Sequence, residues 1–183
     1  MTAQTDLFLR LVQGHKPDCA LSFAGTAPAA VACPEVLAAT LGSEALARYA
    51  EACRPVYEDL RRIIGQISGL LILAQLTAQR EIRDLPEYGA CTARMAQAQA
   101  RLEALSAGSE AQAHKDQLLA ALAFSRLAMG TFSGRAAGDA GDADLDRAGL
   151  QIKRAYAHLQ AASAQRAGLE MVDLSLACCC GAH

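Results

Sequence analysis

Apolar residues between positions 60 and 76 fall at Leu60, Ile63, Ile64, Ile67, Leu70, Leu71 and Ala74, spacings of three and four that mark one face of a helix. Ile72, Leu73 and Leu76 widen that face almost round the whole circumference near its end. A helix apolar on most sides needs neighbours on most sides. This segment is therefore the expected centre of the fold, and the other amphipathic segments are its cover.

Along the chain, Thr5 is placed to cap a short helix carrying Leu7, Phe8, Leu11 and Val12, which Gly14 and Pro17 would stop. An irregular stretch of Gly, Pro and small residues follows as far as Cys33. Pro34 suits the first turn of a brief helix with Val36, Leu37 and Leu41, closed by Gly42. Ser43 caps the next start, with Leu46, Tyr49, Ala50 and Cys53 on one face. Pro55, which has no amide to donate, kinks that helix or begins the next. From Val56 the central helix is expected to run to about Arg83, ended by Asp84, Leu85 and Pro86. Its polar side pairs Glu58 with Arg61 and Arg62, and its apolar stripe is read as free of acids.

Pro86 and Glu87 open a helix whose face is Cys91, Met95, Ala98, Leu102 and Leu105. At Gly108 the pattern offers a turn, with Ser109 and Gln112 spaced as a capping box for a restart, or one long helix carried straight through. The coincidence of glycine and capping box favours the turn. Leu118, Leu119, Leu122, Met129 and Phe132 continue the apolar face, and residues 133–141 read as a loop. Asp142 or Asp144 then caps a last helix, expected to reach about residue 177, with Leu145, Ala148, Ile152, Tyr156, Leu159, Ala162, Met171 and Leu174 on its stripe.

The predicted fold is all-α: an antiparallel up-and-down bundle of four helices (56–84, 87–107, 110–132 and 143–177), or of three long helices if Gly108 is carried through. An irregular N-terminal arm with short helices occupies residues 1–42, the bundle 43–177 and a Cys-rich tail 178–183.

Composition sharpens this picture. Only 4% of the 183 residues are aromatic and none is tryptophan, whereas alanine is abundant, which favours helix over sheet. A formal net charge of −2 and the lack of any basic block interleaved with aromatics argue against nucleic acid as a partner. The apolar run of the central helix is short, contains Gln66, Ser68 and Gln75, and is flanked by arginines, so no transmembrane span is expected. Ala30, Val31 and Ala32 before Cys33 resemble a lipoprotein cleavage site, but Gly25, Thr26 and Pro28 interrupt the apolar run ahead of them and the charged leader is poor. Seven cysteines, four single and three together at the end, do not form a disulfide framework for a chain of this size and suit a reducing, cytoplasmic setting.

Candidate chemistry is sparse. Cys178, Cys179, Cys180 and His183 form the densest ligand set; Cys178, Cys180 and His183 suit Zn(II), Cu(I) or an iron–sulfur centre, with Cys179 too close for comfort in the same shell. Cys91 with Met95, and Cys53 with Tyr57, lie one helical turn apart, where core filling is the simpler role. Glu110 is spaced to orient His114, while His15 and His158 stand alone. The Glu-x-x-His pairs of diiron bundles and the lysine of phosphate-binding loops are missing.

The expectation is a non-enzymatic interaction protein, an adaptor, chaperone or assembly subunit. It would oligomerise or dock another helical protein through Ile63, Ile67, Leu70, Leu71 and Leu73. The alternative is a soft-metal or redox protein using the C-terminal cysteines.

Overall fold

A computed structural model describes residues 33–77, 85–134 and 139–171. Within them lie five helices: α1 (Pro34–Leu41), α2 (Glu44–Thr77), α3 (Pro86–Ala104), α4 (Ser109–Gly134) and α5 (Asp139–Ala161), followed by a short 3-10 turn over Gln165–Ala167. Among the described residues there is no strand, and the helices pack against one another, with α2 touching all four others. None of these helices is long and apolar enough to cross a membrane.

The ends of α1 follow their local chemistry. Pro34 occupies the first turn, and Gly42 adopts φ 71°, the left-handed conformation that lets its N–H reach the Ala38 carbonyl at 2.8 Å. Ser43 Oγ then accepts the Leu46 N–H at 3.3 Å and starts α2.

Of the two roles read for Pro55, a kink within one helix or the start of the next, the second is not found: α2 runs through it from Glu44 to Thr77. Cys53, Val56 and Tyr57 on either side are all at most 1% exposed. Packing of those flanks outweighs the roughly 3 kcal/mol that proline costs in a helix interior. The expected terminus near Arg83 lies outside the described residues.

Cross-helix contacts fix the directions. In the first half of α2, Tyr57 reaches Ser163, just beyond the end of α5, while Ala45 and Leu46 at its start share a depression with Ala104 and Leu105 at the end of α3. Arg126 of α4 bonds Gln99 of α3, and Tyr88 lies against Phe132. His114 and Gln117 of α4 meet Ala162 and His158. These contacts set α3 antiparallel to α4, and α4 antiparallel to α5.

The core is the stripe read from sequence. Leu60, Ile63, Ile67, Leu102, Leu118 and Leu159 are fully buried, each worth about 2 kcal/mol of transfer free energy. Helices α4 and α5 pack against each other, and Ala121 and Ala128 of the one and Ala148 and Ala155 of the other are all 0% exposed. Such small residues at seven-residue spacing let two backbones approach closely.

The break at Gly108 is a turn. Leu105 leaves α3 with extended backbone, and Lys115 donates to its carbonyl. The capping box is not the device that makes the turn, because the Gln112 amide bonds forward to Asp116 at 2.8 Å.

Two further boundaries differ from expectation. Helix α4 continues to Gly134 and α5 begins at Asp139, so residues 133, 134 and 139–141, expected in a loop, are helical. Helix α5 stops at Ala161 and does not reach residue 177. There the chain turns, pairing Ala164 with Leu169 across Gly168, which sits at φ 67°. The physical reason is partly tertiary: a left-handed glycine returns the chain, and the Arg54 guanidinium of α2 holds the returning segment by the Ala167 carbonyl at 3.1 Å.

Candidate functional site

The described residues carry three polar clusters and several surface depressions, the two larger of which adjoin α3 and α4. The first cluster joins α2, α4 and the end of α5. His114 Nε2 lies 2.8 Å from the Ala162 carbonyl, which only accepts, so Nε2 carries the proton. Its Nδ1, 2.9 Å from Tyr49 Oη, is then left to accept from the phenol. This is neutral imidazole, and burial lowers its pKa below the usual 6.5, against a smaller opposing pull from the Ala162 carbonyl. Burial also raises the Tyr49 phenol far above its usual range. The orienting partners of His114 are thus Tyr49 and a backbone carbonyl, and the Glu110 pairing read from spacing gives way to them. The arrangement is a clasp: each polar group is satisfied, and the phenol stays protonated.

The second cluster corrects the expectation that the α2 stripe carries no acid. Asp59 is 6% exposed and sits between two arginines of α3, bonded to Arg101 and 3.7 Å from Arg94. Its position three residues after Val56 and four before Ile63 is on the buried face, a placement the sequence contains. Its charge is compensated, so it ties α3 to α2. The third cluster stacks His158 on Phe124, with ring centroids 5.4 Å apart, while His158 Nδ1 donates to Gln117 at 2.8 Å. The Arg154 guanidinium lies over the Phe124 ring, 5.7 Å from its centroid.

The sulfur pairs are core. Cys53 and Cys91 are 0% exposed, and burial pushes both thiols up to about 11, so neither is a thiolate near neutrality. Met95 is buried next to Cys91 on the same face. Among the described residues no three His, Cys, Asp or Glu side chains gather as metal ligands. Cys178, Cys179, Cys180, His183 and His15 lie outside the described residues.

The first depression, of about 620 Å³, lies between the start of α2 and the α3–α4 turn, with Leu46, Tyr49, Leu105 and Ala111 in its walls. Its polar rim is Arg48, Ser106, Ser109 and Glu110, and no base faces a nucleophile there.

The second is a groove of about 680 Å³ along α3 and α4. Its floor and walls are Leu119, Leu122, Ala123, Leu127, Gly130 and Thr131, and its charged residues are Glu103 and Arg126. Leu119 is 40% exposed and Leu127 53%. They stand eight residues apart with Ala123 midway, so all three share one face of α4 that is distinct from its buried face. Sequence reasoning merged Leu119 with the core face and passed over Ala123 and Leu127. A second apolar stripe on α4, turned away from Leu118, Ala121 and Ser125, was the available signal.

The interaction residues read from sequence divide. Ile63, Ile67, Leu70 and Leu71 are at most 6% exposed and face their own bundle, so they are not surface. Leu73, 38% exposed, lies outside that core together with Ile72 and Leu76 at the end of α2. Leu150 on α5 and Val36 on α1 are single exposed positions. Comparison with family models, with curated proteins and with solved structures finds no match to this chain.

Proposed function

We propose that the protein is a non-enzymatic helical-bundle interaction protein, an adaptor, chaperone or assembly subunit, working through an apolar helix face. The observation that carries this reading is the α3–α4 groove. Two leucines there remain about half in water on a helix whose opposite side is already fully packed. Holding apolar surface in water forgoes about 25 cal/mol per Å² that burial would return, and a grouped patch rimmed by polar residues is the usual mark of a contact surface. The polar clusters point the same way, since each one joins helices and none leaves a reactive group poised.

The test is light scattering and binding of a hydrophobic dye on the same reduced sample of the full chain. The reading expects assembly, dye binding, or both, each diminished in a Leu119→Asn/Leu127→Asn variant whose unfolding midpoint stays close to that of the parent. A strictly monomeric chain that binds no dye contradicts it.

A further inference from the structure

We infer that the edge of α3 bordering α2 docks an acidic helix of a partner protein, whose carboxylates pair with Arg94 and Arg101. This goes beyond the groove, which borders α4 on another side of α3. It is carried by charge that the fold leaves over.

One carboxylate serves two guanidiniums at that edge. Asp59, 6% exposed, bonds Arg101 and lies 3.7 Å from Arg94, and the two arginine side chains remain 40% and 28% exposed. Nε of Arg94 is buried without a hydrogen-bond partner. Glu58, the neighbouring acid on α2, is taken by Arg61 at 2.7 Å. Arg62, exposed and one turn past Asp59, enters no ion pair among the described residues. The acids of α3 itself are Glu87, two turns before Arg94, and Glu103, which bonds Gln99 on the side of α4. Arg61, Arg62, Arg94 and Arg101 against Glu58 and Asp59 leave this edge at +2, on a chain whose formal net charge is −2.

The surface beside those arginines is shaped for a helix. Ala90, Ala93, Gln97, Ala100 and Ala104 recur at three and four residues, and all are exposed. Arg94 and Arg101 each follow an alanine of this stripe and flank it seven residues apart, about 10 Å along the axis. Small side chains let a second helix lie within about 8 Å, and charges flanking such a seam choose the partner. The partner selected here presents acids at the same seven-residue interval. The α3 of a second copy does not supply them. Laid antiparallel, it sets these arginines against one another; laid parallel, it brings Gly89 and Ala96 opposite them.

The experiment is fluorescence anisotropy of a labelled synthetic helical peptide, with alanines on its contact stripe and glutamates flanking it every seven residues, titrated with the reduced full chain. A peptide with lysines in place of the glutamates is the control, and unfolding midpoints of all variants are measured alongside. Saturable binding of the glutamate peptide alone is expected, weakened about fivefold or more between about 20 mM and 200 mM salt. Removing arginines singly leaves Asp59 buried and short of a partner, so they are tested together with it. Asp59→Asn, which frees both guanidiniums, should tighten binding about threefold, and Asp59→Asn/Arg94→Gln/Arg101→Gln should weaken it about tenfold or more. Ala100→Phe, at an exposed position, should block the close approach and weaken binding as much. No binding by the parent overturns the inference, as does equal binding of the lysine peptide. Indifference to the triple exchange, or to Ala100→Phe, overturns it too, because the attraction is then elsewhere or diffuse. Leu119→Asn/Leu127→Asn should bind the peptide as the parent does; loss there would put the peptide in the groove, overturning this edge and leaving the groove as a contact surface.

Discussion

His114 shows how a single side chain takes its meaning from elements far apart in sequence. Four residues from Glu110, it looked like half of a local pair; in the fold its ring spans from Tyr49 to the Ala162 carbonyl, with hydrogen bonds of 2.9 and 2.8 Å. Because burial bars the proton from the folded imidazole, the unfolded chain binds more protons once the pH falls below the usual histidine value of 6.5. This contribution to stability is present above that value and is lost as the pH drops through the interval down to the depressed folded pKa. Chemical denaturation at about pH 7.5 and about pH 5.5 checks it, since His114→Gln should lose less stability than the parent between the two. Equal losses would show that His114 is not the group responsible. Asp59 teaches the same lesson from the opposite side. Its helical position was legible, but nothing in a linear chain announces that Arg94 and Arg101 of another helix will neutralise it.

Among the elements, those whose cause is local matched expectation closely. Gly42 and Ser43 bracket the α1–α2 junction with a left-handed C-cap and a side-chain N-cap, both decided by residues within four of each other. The apolar stripe of α2 is buried where its period placed it, from Leu60 to Ala74. The elements that differed are those in which packing overrode a local signal. Pro55 is the clearest: its ring is exposed, yet the turn around it is held by buried Cys53, Val56 and Tyr57. Replacing it restores an amide that can reach the Glu51 carbonyl. Pro55→Ala should therefore raise the free energy of unfolding by about 1–3 kcal/mol, the helix gain less the extra freedom of the unfolded chain. Denaturant titration reads it, and no gain or a loss would mean that α2 bends at Pro55 in a way that the bundle requires. The end of α5 was missed for a related reason. Ala162 and Leu169 continue an apolar pattern into the turn, and periodicity does not register that Gly168 reverses the chain between Arg54 and the bundle.

At the scale of the molecule, hydrophobic patterning was sufficient for the all-α class and insufficient for the surface, while the turn at Gly108 was read from the glycine together with a capping box that the fold does not use. Patterning identifies residues that want cover without saying which of them the chain covers itself. Ile63, Ile67, Leu70 and Leu71 satisfy each other's need inside the bundle, while Leu119 and Leu127 do not. The proposed contact surface therefore lies on a modest helix rather than the greasiest one, where two exposed leucines flank an alanine. The most direct measurement is hydroxyl-radical footprinting of the full chain across a dilution series. Oxidation of Leu119 and Leu127 should fall as concentration rises or as a hydrophobic dye is added, while that of Leu150, 60% exposed on α5, stays constant. Oxidation of Leu119 and Leu127 that changes with neither, or protection appearing at Leu150 instead, would contradict the account.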